Sequence, residues 1–327
     1  MVITKTPYRI SFFGGGTDYR PYFEEYGGSV LSTTINRYCY LFVRSLPPFF
    51  EHSVSAKYSI VETVKEIDEL HHPSVRECLR YMNINNVSIS HDGDLPARAG
   101  LATSSAFTVG LLNGLHALKG EYIDQLSLAK EAIYIEQDLI KENVGVQDQL
   151  AVSCGGFNRI YFTADGYDVR PVIISPERKT LLNNNLMLFF TGIVRTASEI
   201  AEEQIKGTKN KLNELHEMSE MVQTGEEILS SNTDINEFGM LLDHTWKLKR
   251  SLSSRITTDD IDAVYMKAIK EGATGGKLLG AGGGGFLLLY VEQDKQDKVR
   301  NALDGLLEVP FRFENDGSKV IHYTLER

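Results

Sequence analysis

Pro96-Ala97-Arg98-Ala99-Gly100-Leu101-Ala102-Thr103-Ser104-Ser105 runs directly into an apolar pattern in which Phe107, Leu111, Leu115 and Leu118 recur at helical spacing. A proline, a glycine and a cluster of hydroxyls ahead of such a stripe mark a loop that opens a helix, here over Ser104–Leu118. The first turn of a helix presents N–H groups without intrahelical partners at the positive end of the macrodipole, so phosphate settles there readily. Ser and Thr also cap ordinary helices. On this stretch alone, a phosphate cradle and a plain capped start are equally good readings. The Walker A spacing G-x-x-x-x-G-K-[ST] is absent from the chain.

Upstream, Val30–Arg44 alternates with period two and is rich in aromatic and β-branched residues, which predicts a strand, and Val87–His91 predicts another. Before them, Pro7-Tyr8-Arg9-Ile10-Ser11-Phe12-Phe13 reads as a strand carrying an inward arginine, ending in Gly14-Gly15-Gly16-Thr17-Asp18-Tyr19. Glycines let a ligand approach the backbone closely, and Asp18 just after them can accept hydrogen bonds from ligand hydroxyls. A hairpin turn with a solvated Asp explains the same residues.

Downstream, Ile123–Lys141 predicts a helix with Glu136 at the edge of its apolar stripe, between Ile133 and Ile140. Asn143 and Gly145 are suited to ending it, and Asp148-Gln149 follow the break. Strand-like pieces follow at Phe157–Phe162, Val169–Ile174 and Leu186–Thr191. Ser198–Arg250 is then nearly continuous helical pattern, broken around Ser230–Thr233. The run Gly272–Gly285 formally contains G-x-G-x-x-G, but it enters the strand Phe286–Val291 rather than a helix, so it is not a dinucleotide fingerprint. Gly282 and Gly283 in it suit tight packing or close approach to a ligand. His71-His72 read as surface residues and Trp246 as core. The pattern gives a two-domain α+β protein divided near residue 185, with 1–185 and 186–327 as its parts.

Of the 327 residues, 42% are hydrophobic and 24% charged, which excludes wholesale disorder. A net charge of −10 argues against a nucleic-acid backbone binder. The apolar runs are far shorter than the ~20 residues of a membrane span. Cys39, Cys78 and Cys154 lie far apart, so neither a zinc site nor a disulfide framework is indicated. These features predict a soluble, cytoplasmic protein acting on a small molecule.

Together and in this order, the glycine stretches and the acid pair resemble the signatures of the GHMP kinase superfamily. Pro96–Ser105 is similar to the family's Pro-x-x-x-Gly-Leu-Gly-Ser-Ser-Ala loop, departing at Ala102, Thr103 and Ser105. Gly272–Gly285 is similar to its third motif, and Glu136 to Asp148-Gln149 repeats the spacing of its metal-binding Glu and Asp-Gln. The resemblance implies a ribosomal-protein-S5-like N-terminal domain and a ferredoxin-like C-terminal domain, with ATP between them. It implies that Ala99, Gly100, Leu101, Ala102, Thr103, Ser104 and Ser105 hold the triphosphate and that Ser104 and Glu136 hold Mg²⁺. Asp148 is then expected at the acceptor hydroxyl, with Arg9 beside it as the second catalytic residue.

Galactokinases carry Gly-Glu-His-Thr-Asp-Tyr where this chain has Gly14-Gly15-Gly16-Thr17-Asp18-Tyr19. Losing the acid removes repulsion against an anionic substituent and opens space for it. This form, with Phe190-Thr191-Gly192-Ile193-Val194-Arg195-Thr196 later, resembles bacterial D-glycero-D-manno-heptose 7-phosphate kinases. The resemblance implies phosphorylation of the anomeric hydroxyl to the 1,7-bisphosphate, on the way to a nucleotide-activated heptose. Gly15, Gly16, Thr17, Asp18, Gly282 and Gly283 are the expected sugar-binding residues. Arg195 and Arg98 are expected at the distal phosphate, where a bidentate cation is suited. The alternatives are an L-fucose- or galactose-type sugar 1-kinase and a catalytically silent sugar sensor.

Overall fold

The computed structural model describes residues 1–97, 99–193 and 197–324. Its strands are β1 (Val2–Phe13), β2 (Gly28–Ser45), β3 (Val54–Lys57), β4 (Val61–Val64), β5 (Val87–Gly93), β6 (Phe157–Thr163), β7 (Gly166–Pro171), β8 (Leu186–Phe190), β9 (Gly275–Leu278), β10 (Phe286–Tyr290), β11 (Leu307–Glu308), β12 (Phe313–Glu314) and β13 (Lys319–Tyr323). The helices are α1 (Arg20–Tyr26), α2 (Pro73–Met82), α3 (Thr103–Lys119), α4 (Gln125–Ile133), α5 (Gln147–Cys154), α6 (Pro176–Asn184), α7 (Ala197–Gly207), α8 (Leu212–Ser230), α9 (Asn236–Leu252), α10 (Asp259–Lys270) and α11 (Gln296–Ala302).

Two sheets result. The larger runs β13-β1-β2-β5-β3-β4, with β6 and β12 also on β2 and β7 on β6; the smaller runs β11-β8-β10-β9. The 18-residue β2 pairs β1 along one edge and, along the other, β6 with its first part, β12 at Thr34 and Ile35, and β5 with its last part. Cys39, Leu41 and Val43 on it are buried, as the period-two pattern requires. The last two strands return to the larger sheet. Phe12 and Phe13 of β1 pack on Phe238 of α9 at ring separations of 5.2 and 4.9 Å, so one core continues from the first sheet into the second half of the chain.

Three local features position the site. The pairing of β1 with β2 slips at Pro7/Tyr8 and again at Ser11/Phe13, and such irregularities re-aim side chains. Arg9 and Ser11, between the slips, both reach the cavity described below. The expected helix Ile123–Lys141 is α4 continued by a π-helical turn over Tyr134–Leu139, which carries Glu136 wholly into the interior. Asp148 follows the break after that helix, as expected, and lies in the first turn of a new one, α5.

The loop before α3 is locked by glycine-on-glycine contact with the third glycine run. Gly100 sits at φ +81°, and a Cβ on it would lie 2.5 Å from the Leu279 carbonyl oxygen; Gly280 sits at φ +74°, with its own Cβ position 2.5 Å from Gly100 Cα. Backbone on both sides leaves nothing to give way. Gly100→Ala is therefore expected to cost about 2–4 kcal/mol, combining left-handed strain with overpacking. An unchanged urea midpoint would contradict this packing.

Candidate active site

Arg9 and Asp148 meet across 139 residues of sequence. Arg9 donates from Nε (2.9 Å) and Nη2 (2.5 Å) to Asp148 Oδ1, and from Nη1 to the Gly100 carbonyl (3.0 Å). The guanidinium is buried, while the Asp148 side chain keeps about a quarter of its surface. Both bonds converge on one oxygen, so Oδ2 has no partner among the described residues and stands free at a cavity of about 230 Å³. The cavity is walled by β1, the glycine turn at 14–16, the α3 and α5 N-termini, α9 and the third glycine run.

Asp18 forms the acid wall beside it. Its carboxylate accepts from Gly16 N–H and Gln147 Nε2, each at 3.0 Å. Burial, and then the Asp148 charge, push its pKa above the ordinary carboxylate value. Gly145 makes this position possible, because a Cβ there would lie 1.8 Å from Asp18 Oδ2. Gly145→Ala is expected to displace the carboxylate and to weaken about tenfold or more the binding of a substrate held by Asp18, with a substrate held elsewhere in the cavity little affected. Steady-state kinetics with each substrate varied separately would check the asymmetry.

At the α3 N-terminus the capped-helix reading does not hold. The N-cap is Ala102, in the left-handed region at φ +62°, and no side chain caps the helix. Left-handed backbone without glycine stores strain of about 1–3 kcal/mol and concentrates at functional sites. Gly100, Ala102, Thr103, Ser104 and Ser105 line the cavity, whereas Ala99 and Leu101 are fully buried behind them. Ser104 is exposed; Ser105, not Ser104, reaches Glu136, donating to Oε2 at 3.0 Å.

Glu136 has no exposed surface, and burial pushes its pKa up to about 7. Gln149 donates to the same Oε2. Glu136 Oε1 and Gln149 Oε1 are buried acceptors with no donor among the described residues. Unpartnered acceptors beside a buried carboxylate suit a proton or a hard cation, so the residues fit Mg²⁺.

Some expected residues stand elsewhere. Thr17 Oγ1 shares its one proton between the Gly14 and Ser29 carbonyls and accepts from Ser29 N–H, so it builds the turn, fully buried and off the cavity wall. Gly282 and Gly283 pack against the Ile256 backbone, off the cavity wall, which Gly280 and Ala281 reach instead. Arg98 and Arg195 lie outside the described residues. His72, read as surface, is half-buried: it caps α2 and stacks on Phe107. Trp246 is fully buried, as expected. The reading missed Lys249 and Lys277, two buried lysines on the cavity wall. A larger groove of about 1400 Å³ between Asn113 and Tyr323 contains none of these residues.

Comparisons with known proteins agree with this geometry. The model of the GHMP kinases N terminal domain matches residues 62–156 and that of the GHMP kinases C terminal matches 226–308, together just over half of the chain. The D-glycero-alpha-D-manno-heptose 7-phosphate kinase of Campylobacter jejuni is 28% identical over 97% of both chains. A galactokinase of Pyrococcus furiosus is 30% identical over 64% of this chain and 66% of its own. A crystal structure described as a D-glycero-D-manno-heptose 1-phosphate kinase from "Bacteriodes thetaiotaomicron" superposes with a TM-score of 0.81 over 99% of this chain and all of its own, at 23% identity. The chain belongs to the GHMP kinases and carries their two-domain α+β fold. Within them it is an ATP-dependent sugar kinase, a phosphotransferase with an alcohol acceptor. No helix among the described residues is long and apolar enough to cross a membrane.

Proposed function

We propose that the chain transfers the γ-phosphoryl group of ATP to the anomeric hydroxyl of D-glycero-D-manno-heptose 7-phosphate, giving the 1,7-bisphosphate. The observation that carries this reading is the space beside Asp18. Gly15 lines the cavity, and a Cβ on it would meet nothing within 4 Å, where galactokinases place a glutamate side chain. The full-length similarity to the Campylobacter heptose 7-phosphate kinase supports the same acceptor.

Phosphoryl transfer asks a protein for alignment and charge stabilisation more than for covalent chemistry. The uncapped first turn of α3, from Ala102 to Ser105, receives the phosphates on its N–H groups. Ser104 and Glu136 would hold Mg²⁺, with Ser105 standing between them as the hydroxyl that contacts Glu136, and the ion would supply positive charge to the phosphate oxygens. Asp18 and the backbone at Gly15 and Gly16 bind sugar hydroxyls. Asp148 Oδ2 faces the acceptor hydroxyl and takes its proton, while Arg9 fixes Oδ1. As the hydroxyl oxygen bonds to the γ-phosphorus, the bond from that phosphorus to the bridging oxygen breaks and ADP leaves. Arg195 and Arg98 remain candidates for the distal phosphate. The division into 1–185 and 186–327 puts the phosphate loop in the first part and the third glycine run in the second.

The acceptor is tested by ADP release with heptose 7-phosphate, galactose and L-fucose under identical conditions. A kcat/KM at least about 100-fold higher for heptose 7-phosphate is expected, the scale of a buried charged contact. Equal or reversed preference would assign another sugar, and no turnover with any of them would return the sensor alternative.

A further inference from the structure

Lys249, in the last turn of α9, and Lys277, on β9, are both buried and both line the cavity. Lys277 Nζ donates to the Phe12 carbonyl at 2.7 Å. Lys249 Nζ donates to the carbonyls of Leu278, at 3.3 Å, and Gly280. Carbonyl partners satisfy N–H groups without neutralising charge. An ammonium carries three donors, so Lys277 has two unspent. Among the described residues neither lysine lies within ion-pairing distance of a carboxylate. Two of the acids lining the cavity have other partners, Asp148 with Arg9 through Oδ1 and Asp18 with Gly16 and Gln147.

Buried charges are costly unless paired. Burial lowers the pKa of both lysines; the Lys249 charge and then Arg9 lower that of Lys277 further, and Arg9 lowers that of Lys249, against the opposing pull of Asp18 and Asp148. A second observation lies beside them. Ser11 lines the same cavity, next to the Phe12 carbonyl that Lys277 holds, and its buried hydroxyl has no partner among the described residues. A structural tether to a carbonyl needs an N–H, not a charge, and leaves no reason for an idle hydroxyl alongside.

We propose that Lys249, Lys277 and Ser11 form a phosphate-binding subsite on the cavity wall, a specificity-determining site for a phosphate dianion. The proposal rests on reading this cavity as a kinase site. Two sources supply such a group, the distal phosphate of a phosphorylated acceptor and the terminal phosphates of the nucleotide, and kinetics separates them.

The test uses Lys249→Gln, which keeps a donor for the Gly280 carbonyl and removes the charge, together with Lys277→Gln and Ser11→Ala. Inorganic phosphate is expected to raise the Tm of the wild type, and each variant should lose most of that rise. A KM increase of about 10–100-fold confined to heptose 7-phosphate assigns the site to the acceptor; the same increase confined to ATP assigns it to the nucleotide. Variants that melt cooperatively, respond to phosphate as the wild type does and keep both KM values overturn the proposal. So does a wild type that does not respond to phosphate. Should one lysine variant fail to fold, the other and Ser11→Ala carry the same comparison. If heptose 7-phosphate is not turned over, the acceptor reading fails, while the phosphate titration and the ATP arm still decide the subsite.

Discussion

Asp148→Asn is expected to lower kcat about 10³-fold, with the KM of both substrates within a few-fold of wild type. The amide keeps the shape of the carboxylate, and its oxygen can still accept from Arg9 at the position of Oδ1. The other end then presents an NH₂ donor at the place of Oδ2, the oxygen the protein leaves free at the cavity. It can no longer accept the hydroxyl's proton, and removal of a positioned base typically costs 10²–10⁴ in rate. The measurement is ADP release under saturating ATP and sugar phosphate, with cooperative melting as the control. That control matters because the variant leaves a buried guanidinium facing a neutral partner. A fall of less than about tenfold would mean that Asp148 only orients the hydroxyl. An unchanged rate would remove it from the reaction.

How far the sequence reveals this site depends on whether the signal is local. The α3 loop, the glycine run and the acids Asp18, Glu136 and Asp148 are legible because each has a local context: a helix start, a turn, a break in an apolar stripe. The convergence of the loop, the glycine run, Asp18 and Asp148 on one cavity is not local, since Arg9 and Asp148 belong to elements more than a hundred residues apart; Glu136 is enclosed behind the cavity wall, against Ser105. Lys249 left a trace that could have been read: with Leu242 and Trp246 it falls at i, i+4 and i+7, placing a lysine on the buried stripe of α9. Lys277 stands inside a quoted motif, but nothing in that motif says that its side chain crosses to the Phe12 carbonyl of β1.

Three further differences have backbone causes. Ala102 stands where the family motif has glycine, and it occupies left-handed backbone, a conformation that the residue type does not announce. Thr17 carries a hydroxyl in a ligand-like motif, but the turn it closes takes its proton and buries it away from the cavity. The π-helical turn shifts the facing of every residue after Ile133, so a helical wheel drawn straight through leaves Glu136 at a stripe's edge when it is enclosed.

That enclosure gives the second large effect: Glu136→Gln should make the ligand-free protein more stable and the enzyme nearly inactive. Burial raises the carboxyl pKa from 4.5 to about 7. Between those values the unfolded chain releases a proton that the folded chain retains, so native stability falls as pH rises through this window and stays reduced above it. At 1.36 kcal/mol per unit the full reduction is about 3 kcal/mol, an order-of-magnitude figure for so buried a group. Glutamine has no charge to bury, and its oxygen can still accept from Ser105 and Gln149. Denaturation at pH 8 should therefore find the variant more stable than wild type, and the gap should close near pH 4.5. If Glu136 carries Mg²⁺, the variant also loses the Tm increase that Mg²⁺ with a non-hydrolysable ATP analogue gives the wild type, and kcat falls at least about 100-fold, since a neutral amide is a poor substitute for a hard anionic ligand. A variant that is more stable but fully active would make Glu136 a buried acid without a metal. One that is less stable at pH 8 would mean its charge is already compensated inside the fold.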